Sequence, residues 1–365
     1  MLADSVRQFL ETECPMSLVR RVVEEGKEAD ELWAAMTALD WPAMGWAEAY
    51  GGLGLGQVEL AVVNEALGRV LAPVPFLASS TLFAAAVIEA GSDDQKRRFL
   101  TPLLSGVVGT LAVGEAGGRF APEDTALCAT PTAGGWLLNG EKHAVIDAGK
   151  AEEIAVSARL SDSAGTEGIG LFVVPQSEAE VVPVQSLDLT RQLCRVQLHD
   201  VEVDASRALG EPGAMGPALG RVVERATAAL CAETVGTSQA IFDIVLAYVK
   251  EREQFGVKIG SFQAIKHKLA NMYVALEAAR ATTYFAAVAL DEDDERRQVA
   301  VWMAKSATGD CQKLLAQEGI QCLGGVGYTW EHDMHLYVKR QKAQAALFGT
   351  GAEHRQRLAA HLGLS

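Results

Sequence analysis

Two short stretches place a charged or amide side chain beside an aromatic or a glycine at the end of an apolar helical run. Arg252-Glu253-Gln254-Phe255-Gly256 closes one such run, and Ser261-Phe262-Gln263-Ala264-Ile265 opens the next. An arginine beside an aromatic at a helix end can grip a phosphate and cover a ring. It can equally compensate the dipole of its own helix. Gln321-Cys322-Leu323-Gly324-Gly325-Val326-Gly327-Tyr328 puts paired glycines after an apolar helix. Such glycines let a backbone approach a ligand closely, and they also make an ordinary helix stop. His332 and His335 could share a metal from one helix face; with no third ligand nearby in sequence, polar packing is the expected role. No G-x-G-x-x-G follows a predicted strand, and Gly52-Leu53-Gly54-Leu55-Gly56 lies between helical stretches, where it reads as a turn. P-loop, H-E-x-x-H and G-x-S-x-G signatures are missing, and no metal site is expected.

These stretches need elements to hold them. Residues 1–109 read as an α-helical domain, with apolar positions at three- and four-residue spacing in DSVRQFLETE, KEADELWAAMTALD and QVELAVVNEALGRVLA. In GSDDQKRRFLTPLLSG, Ser92 or Asp93 is a candidate N-cap and Gly106 a stop. Residues 110–212 turn strand-like, with β-rich runs separated by Gly, Asp, Pro and Ser clusters, which predicts an antiparallel β domain. Leu138-Asn139-Gly140-Glu141 is the strongest local hairpin signal there. Residues 213–365 return to longer helices, apolar on more than one side, which predicts a four-helix bundle or a subunit interface. The fold class is therefore multidomain α+β, in the order helical, β, helical.

Composition narrows the partners. Across 365 residues, 32 Lys+Arg against 47 Asp+Glu give a formal charge of −15, which argues against a nucleic-acid surface. It leaves room for a phosphorylated ligand, since a few arginines or helix N-termini suffice. The six cysteines form no C-x-x-C pair and sit mostly among apolar neighbours, as in a reducing compartment. The N-terminus lacks the basic start and apolar core of a signal peptide, and no uninterrupted apolar stretch has the length of a membrane span. The expectation is a cytoplasmic protein.

The chain resembles the acyl-CoA dehydrogenases over nearly its whole length. The resemblance rests on Tyr50-Gly51-Gly52-Leu53-Gly54, Gln95-Lys96-Arg97-Arg98-Phe99-Leu100, Leu138-Asn139-Gly140-Glu141-Lys142, Arg252-Glu253-Gln254-Phe255-Gly256 and the Gln321–Tyr328 turn, in that order. It implies FAD as cofactor, an acyl-CoA thioester as substrate and an electron-transfer flavoprotein as electron acceptor. In the reaction it implies, a carboxylate removes the α proton while the β hydrogen leaves as hydride to the flavin. It also implies that Arg252, Phe255, Gln321 and Gly325 reach the FAD of a neighbouring subunit.

Elsewhere the chain departs from that pattern. The Thr-Glu-Pro-x-x-Gly-Ser-Asp phrase reads Val113-Gly114-Glu115-Ala116-Gly117-Gly118-Arg119, without the serine and aspartate. The Trp-Ile-Thr phrase that packs on the flavin falls on Ala144-Val145-Ile146. The Tyr-Glu-Gly-Thr phrase carrying the base reads Leu347-Phe348-Gly349-Thr350; Thr350 is kept as a cofactor contact, but phenylalanine replaces the glutamate. The alternative base position on the long helix falls on Ala226, leaving Glu233 as the catalytic candidate, with Glu224 nearby. Residues that serve a neighbour's FAD are retained and those that hold the chain's own are eroded. The expected role is thus one subunit of a hetero-oligomer such as an α2β2 acyl-CoA dehydrogenase, with a second acyl-CoA dehydrogenase subunit as partner and a bulky or steroid side-chain thioester as substrate. A self-sufficient homotetramer using a helix glutamate, and a non-catalytic stabilising subunit, stay open beside it.

Overall fold

A computed structural model of the chain describes residues 2–160 and 163–364. Six helices come first: α1 (Leu2–Glu13), α2 (Met16–Glu25), α3 (Asp30–Thr37), α4 (Gln57–Arg69), α5 (Ala84–Ala90) and α6 (Asp93–Leu100). A buried π-helical stretch, Leu77–Phe83, runs directly into α5. Ser92 caps α6 through a reciprocal box with Gln95, as its position before Asp93 predicts. At the start of α4, Gly56 N donates to the Glu59 carboxylate at 3.0 Å, but the amides that follow have no side-chain cap from the N-cap residue. They are met by Asp291, whose carboxylate accepts from Gln57 N at 2.5 Å and Val58 N at 3.1 Å across the fold.

Eight strands follow: β1 (Gly109–Ala112), β2 (Cys128–Pro131), β3 (Gly135–Ile146), β4 (Glu153–Leu160), β5 (Ile169–Pro175), β6 (Glu180–Pro183), β7 (Leu193–Asp204) and β8 (Ala208–Gly213). They form one sheet ordered β6-β7-β3-β2-β4-β5-β8, with β1 also on β4. Most neighbours are antiparallel as expected, but β1 and β2 both run parallel to β4, so the sheet is mixed. The Asn139-Gly140 pair makes a bulge inside β3 rather than a hairpin turn: Gly140 has φ +134° and the β3–β7 register shifts there. The positive φ that suggests a turn is equally what a bulge uses. Asn139 holds the distortion by exchanging hydrogen bonds with Asp200 on β7, at 2.8 and 2.9 Å. The hairpin itself turns at residues 132–134, between Pro131 and Trp136.

The C-terminal bundle is built on α7 (Gly216–Glu251), followed by the short ribbon β9 (Glu253–Gln254) and β10 (Val257–Lys258), then α8 (Gln263–Asp291), α9 (Arg297–Leu323), α10 (Met334–Ala346) and α11 (Gly351–His361). At 1.5 Å per residue α7 is about 54 Å long. Its most apolar window is long enough to cross a membrane but is 78% buried within the protein. Helix α4 crosses it at van der Waals distance through two glycines. A Cβ on Gly68 would fall on the Glu233 carbonyl, and one on Gly236 on the Glu65 carbonyl. This close crossing fixes the backbone of Glu233.

Candidate functional site

Four elements meet around Glu233, which is 3% exposed on α7. Arg191, between β6 and β7, donates to its Oε1 at 2.6 Å, and Arg340 of α10 donates to the same oxygen at 2.9 Å. Arg340, 1% exposed, also pairs with Asp188 at 2.6 Å and donates to Thr190. Burial pushes the Glu233 carboxyl up, but the two guanidiniums outweigh it and hold its pKa below the ordinary range. A carboxylate stabilised in its charged form by two arginines is a poor proton acceptor, and Glu233 lines none of the cavities described below. The geometry therefore assigns Glu233 to a structural ion network instead of the base. Arg191, Arg340 and Asp188 carried no local sequence signal, because their separations from Glu233 are tens of residues or more.

Glu224, two turns and a half earlier on α7, has a different setting. It borders a cavity of about 410 Å³ together with Arg221, Arg297, Trp302, His354 and Arg357. Arg297 Nε and Gln298 Nε2 donate to its carboxylate at 3.2 and 3.3 Å. Burial is the larger influence here and raises its pKa, Arg297 pulling it back only in part. His354 Nε2 donates to the Phe348 carbonyl at 2.9 Å, and burial lowers the His354 pKa to about 4, so the ring is neutral.

Phe348 sits in left-handed backbone geometry, φ +57°, and is 3% exposed. Its ring packs edge-on against Phe120 at 5.4 Å between centroids, in one apolar cluster with Ile146, Val222, Ala226 and Leu347. Beside it, a cleft of about 240 Å³ is lined by Gly118, Phe120, Ala144, Leu187, Leu193, Lys342 and Leu347 among others. Ala144 lies in the second register shift of β3, with φ +51°. Val145 and Ile146 are buried in the core. Thr350 caps α11: its hydroxyl accepts from Glu353 N at 3.2 Å and donates to the Glu353 carboxylate at 2.9 Å.

The remaining predicted residues lie far from this cleft in character. Arg252, Gln321 and Gly325 are exposed, and Phe255, at φ +55°, is 92% exposed with its ring edge-on to Phe262 at 6.2 Å between centroids. Gly324 and Gly325 have nothing within 4 Å of where a Cβ would stand, so nothing inside the chain requires Gly325 to be glycine. His332 Nδ1 accepts from Met334 N, and His335 stacks on Trp330 at 4.6 Å. Among the described residues no group of three His, Cys, Asp or Glu could hold a metal.

The described residues thus combine a helical unit, a mixed sheet and a long-helix bundle, with an apolar cleft at the sheet–bundle junction and an exposed glycine turn. The chain belongs to the acyl-CoA dehydrogenase family. Residues 1–107 match the acyl-CoA dehydrogenase N-terminal domain and residues 219–363 its C-terminal domain. It is 30% identical to the mitochondrial isovaleryl-CoA dehydrogenase of Oryza sativa subsp. japonica over 88% of this chain and 79% of that one. Among solved structures it superposes on a steroid ACAD, Tcur3481-Tcur3483, with TM-score 0.88 at 28% identity, covering 99% of this chain and 96% of the other. The ChsE4-ChsE5 complex of Mycobacterium tuberculosis shares the fold, with TM-score 0.90 at 24% identity, covering 100% and 96%.

The family is one of FAD-binding flavoproteins, and the two sets of residues fit that cofactor differently. Ala144, Val145 and Ile146 supply neither an aromatic face nor a hydroxyl, and Phe348 and Phe120 pack together with no carboxyl between them. The chain's own side of a flavin site does not fit. The other set, Arg252, Phe255, Gln321 and Gly325, is exposed and offers a guanidinium, a ring, an amide and an unobstructed glycine.

Proposed function

We propose that this chain is one subunit of an acyl-CoA dehydrogenase assembled from two kinds of chain, in which it donates FAD contacts to a partner that carries the intact flavin pocket and the base. The observation that carries this reading is the division just described: Phe348 is locked into an apolar core where a carboxylate is needed, while Arg252, Phe255, Gln321 and Gly325 face outward. In the assembly Arg252 would hold a phosphate of FAD through its planar fork, and Gln321 and Gly325 would offer an amide and close backbone approach. FAD supplies the hydride acceptor when bound. The substrate is an acyl-CoA thioester, and the likeness to a steroid ACAD supports a bulky acyl group. An electron-transfer flavoprotein would reoxidise the assembly.

The test is flavin content. The chain expressed alone should purify essentially colourless, and co-expression with an acyl-CoA dehydrogenase encoded beside it should yield a yellow complex with turnover. One FAD per chain and full turnover in the chain alone would overturn the proposal.

One observation favours a second reading, a self-sufficient enzyme: Glu224 is a carboxyl with a raised pKa at the edge of a cavity that three arginines also line. Under that reading Glu224→Gln would abolish turnover of the chain alone, whereas under the first there is no such turnover to lose.

A further inference from the structure

Helix α8 is apolar on two opposite sides. Met272, Leu276, Ala279, Ala286 and Leu290 are buried where α8 packs on α7 and α9. On the outward side Val274, Ala278, Ala281, Phe285 and Val288 form a second row, spaced four, three, four and three residues apart. All five are exposed, Val274 at 68% and Val288 at 40%. Arg296 stands over the Phe285 ring, 5.8 Å from its centroid, and still leaves it 39% exposed. The charged residues of this stretch, Glu277 and Arg280, contact each other, and Arg280 reaches inward to Glu65 and Gln239. A helix face turned to solvent is ordinarily polar, and contiguous exposed apolar surface marks a contact. A repeat alternating three and four residues is the seam along which one helix packs on another.

Two features of α8 say what lies on that seam. The row is nearly symmetric about its middle: the small Ala278 and Ala281 are central, and the larger Val274, Phe285 and Val288 lie toward the ends. Turned end for end, it meets a copy of itself with small side chains at the closest approach, as a self-complementary two-fold contact requires. The ends also carry opposite charge. Lys266 and His267 are exposed near the start of the helix, and Glu292, Asp293 and Glu295 are exposed just past its end. Antiparallel copies set each basic start beside the other's acidic end, whereas parallel copies would bring the acidic ends together, and juxtaposed like charges disfavour a contact. The 29 residues of α8 span about 43 Å, so antiparallel pairing holds the two acidic runs far beyond the screening length of about 8 Å.

We propose that the outer face of α8 is the contact surface for α8 of a second copy of this chain, antiparallel and crossing near Ala281. It uses none of the residues proposed to meet FAD, so its failure leaves that reading untouched. In an assembly of two kinds of chain, this contact joins the two copies of this one.

Sedimentation equilibrium of the full-length chain tests the contact. The wild type should be a dimer. Ala281→Glu sets a carboxylate against its own copy at the crossing and should weaken the dimer by about 100-fold. Its thermal melt in circular dichroism should show a folded chain, because residue 281 is on the surface. Lys266→Glu alone, and Glu292→Lys/Glu295→Lys alone, should each weaken the dimer by about three- to fivefold, and combining them should restore it. A monomeric wild type, a dimer indifferent to Ala281→Glu, or a combined variant no tighter than its components would overturn the proposal. So would a monomer in which Ala281→Glu instead blocks assembly with the second kind of chain, since the face would then belong to that chain.

Discussion

Replacing Glu233 by glutamine tests whether this carboxylate holds the fold or performs chemistry. The substitution keeps the shape and removes the charge that Arg191 and Arg340 share at 2.6 and 2.9 Å. All three side chains are nearly inaccessible to solvent. Removing one partner of a buried pair leaves the others uncompensated and typically costs ~3–5 kcal/mol. Asp188 still faces Arg340, which places the expected loss toward the lower end of that range. For a chain of 365 residues, at about 2.1 cal/mol/K of unfolding entropy per residue, this corresponds to a melting temperature lower by roughly 4–5 °C at pH 7. The sign of the pH dependence is set by the depressed native pKa of Glu233. Its contribution is fully present above the unfolded value of about 4.3 and is lost as pH falls through the lower native value. Scanning calorimetry of wild type and variant should therefore show a constant gap from pH 8 to pH 5 that closes below about pH 4. Turnover of the assembled enzyme, assayed well below the melting temperature, should stay within about tenfold of wild type. A fall of several orders of magnitude in turnover with an unchanged melting temperature would refute the structural assignment and return Glu233 to the chemistry.

Three further outcomes are expected. Phe348→Ala opens a cavity beside Phe120 and should destabilise the chain by ~3–5 kcal/mol in a denaturant titration, while turnover of the complex changes by less than the loss of a base would require. Asp147, 4% exposed, has its pKa raised to about 6, chiefly by burial, so it penalises the fold increasingly as pH rises above about 4 and fully above about 6. Asp147→Asn should raise the melting temperature at pH 8, by the equivalent of about 3 kcal/mol, and give little gain near pH 4. Arg252→Ala should leave the chain folded and paired with its partner, while FAD affinity of the complex drops about 10- to 100-fold, since a charge-assisted phosphate contact contributes ~1.5–3 kcal/mol. Lysine at position 252 should rescue only part of that loss.

The sequence by itself determined the order of elements and marked the two surface stretches proposed as cofactor contacts, because both are written in local pattern. Helical spacing marks α4, α7, α8 and α9, Ser92 and Gln95 spell their own cap, and the phrases around Arg252 and Gly325 each occupy one short stretch. The Asn139-Gly140 pair showed the limit of local pattern, since one backbone requirement serves both a turn and a bulge and only the strand across from it, through Asp200, selects the bulge. The parallel pairing of β1 and β2 with β4 was likewise invisible, because strand order depends on connections that leave the sheet and return. Tertiary structure alone decided what the acidic residues of α7 do. Glu224 and Glu233 are chemically identical in the sequence and nine residues apart on one helix. What separates them is that Arg340, 107 residues away, and Arg191, 42 away, converge on Glu233, while Glu224 meets a single guanidinium at the rim of a cavity. A carboxylate's readiness to take a proton is set by the charges and solvent around it, and those are brought together only when the chain has folded.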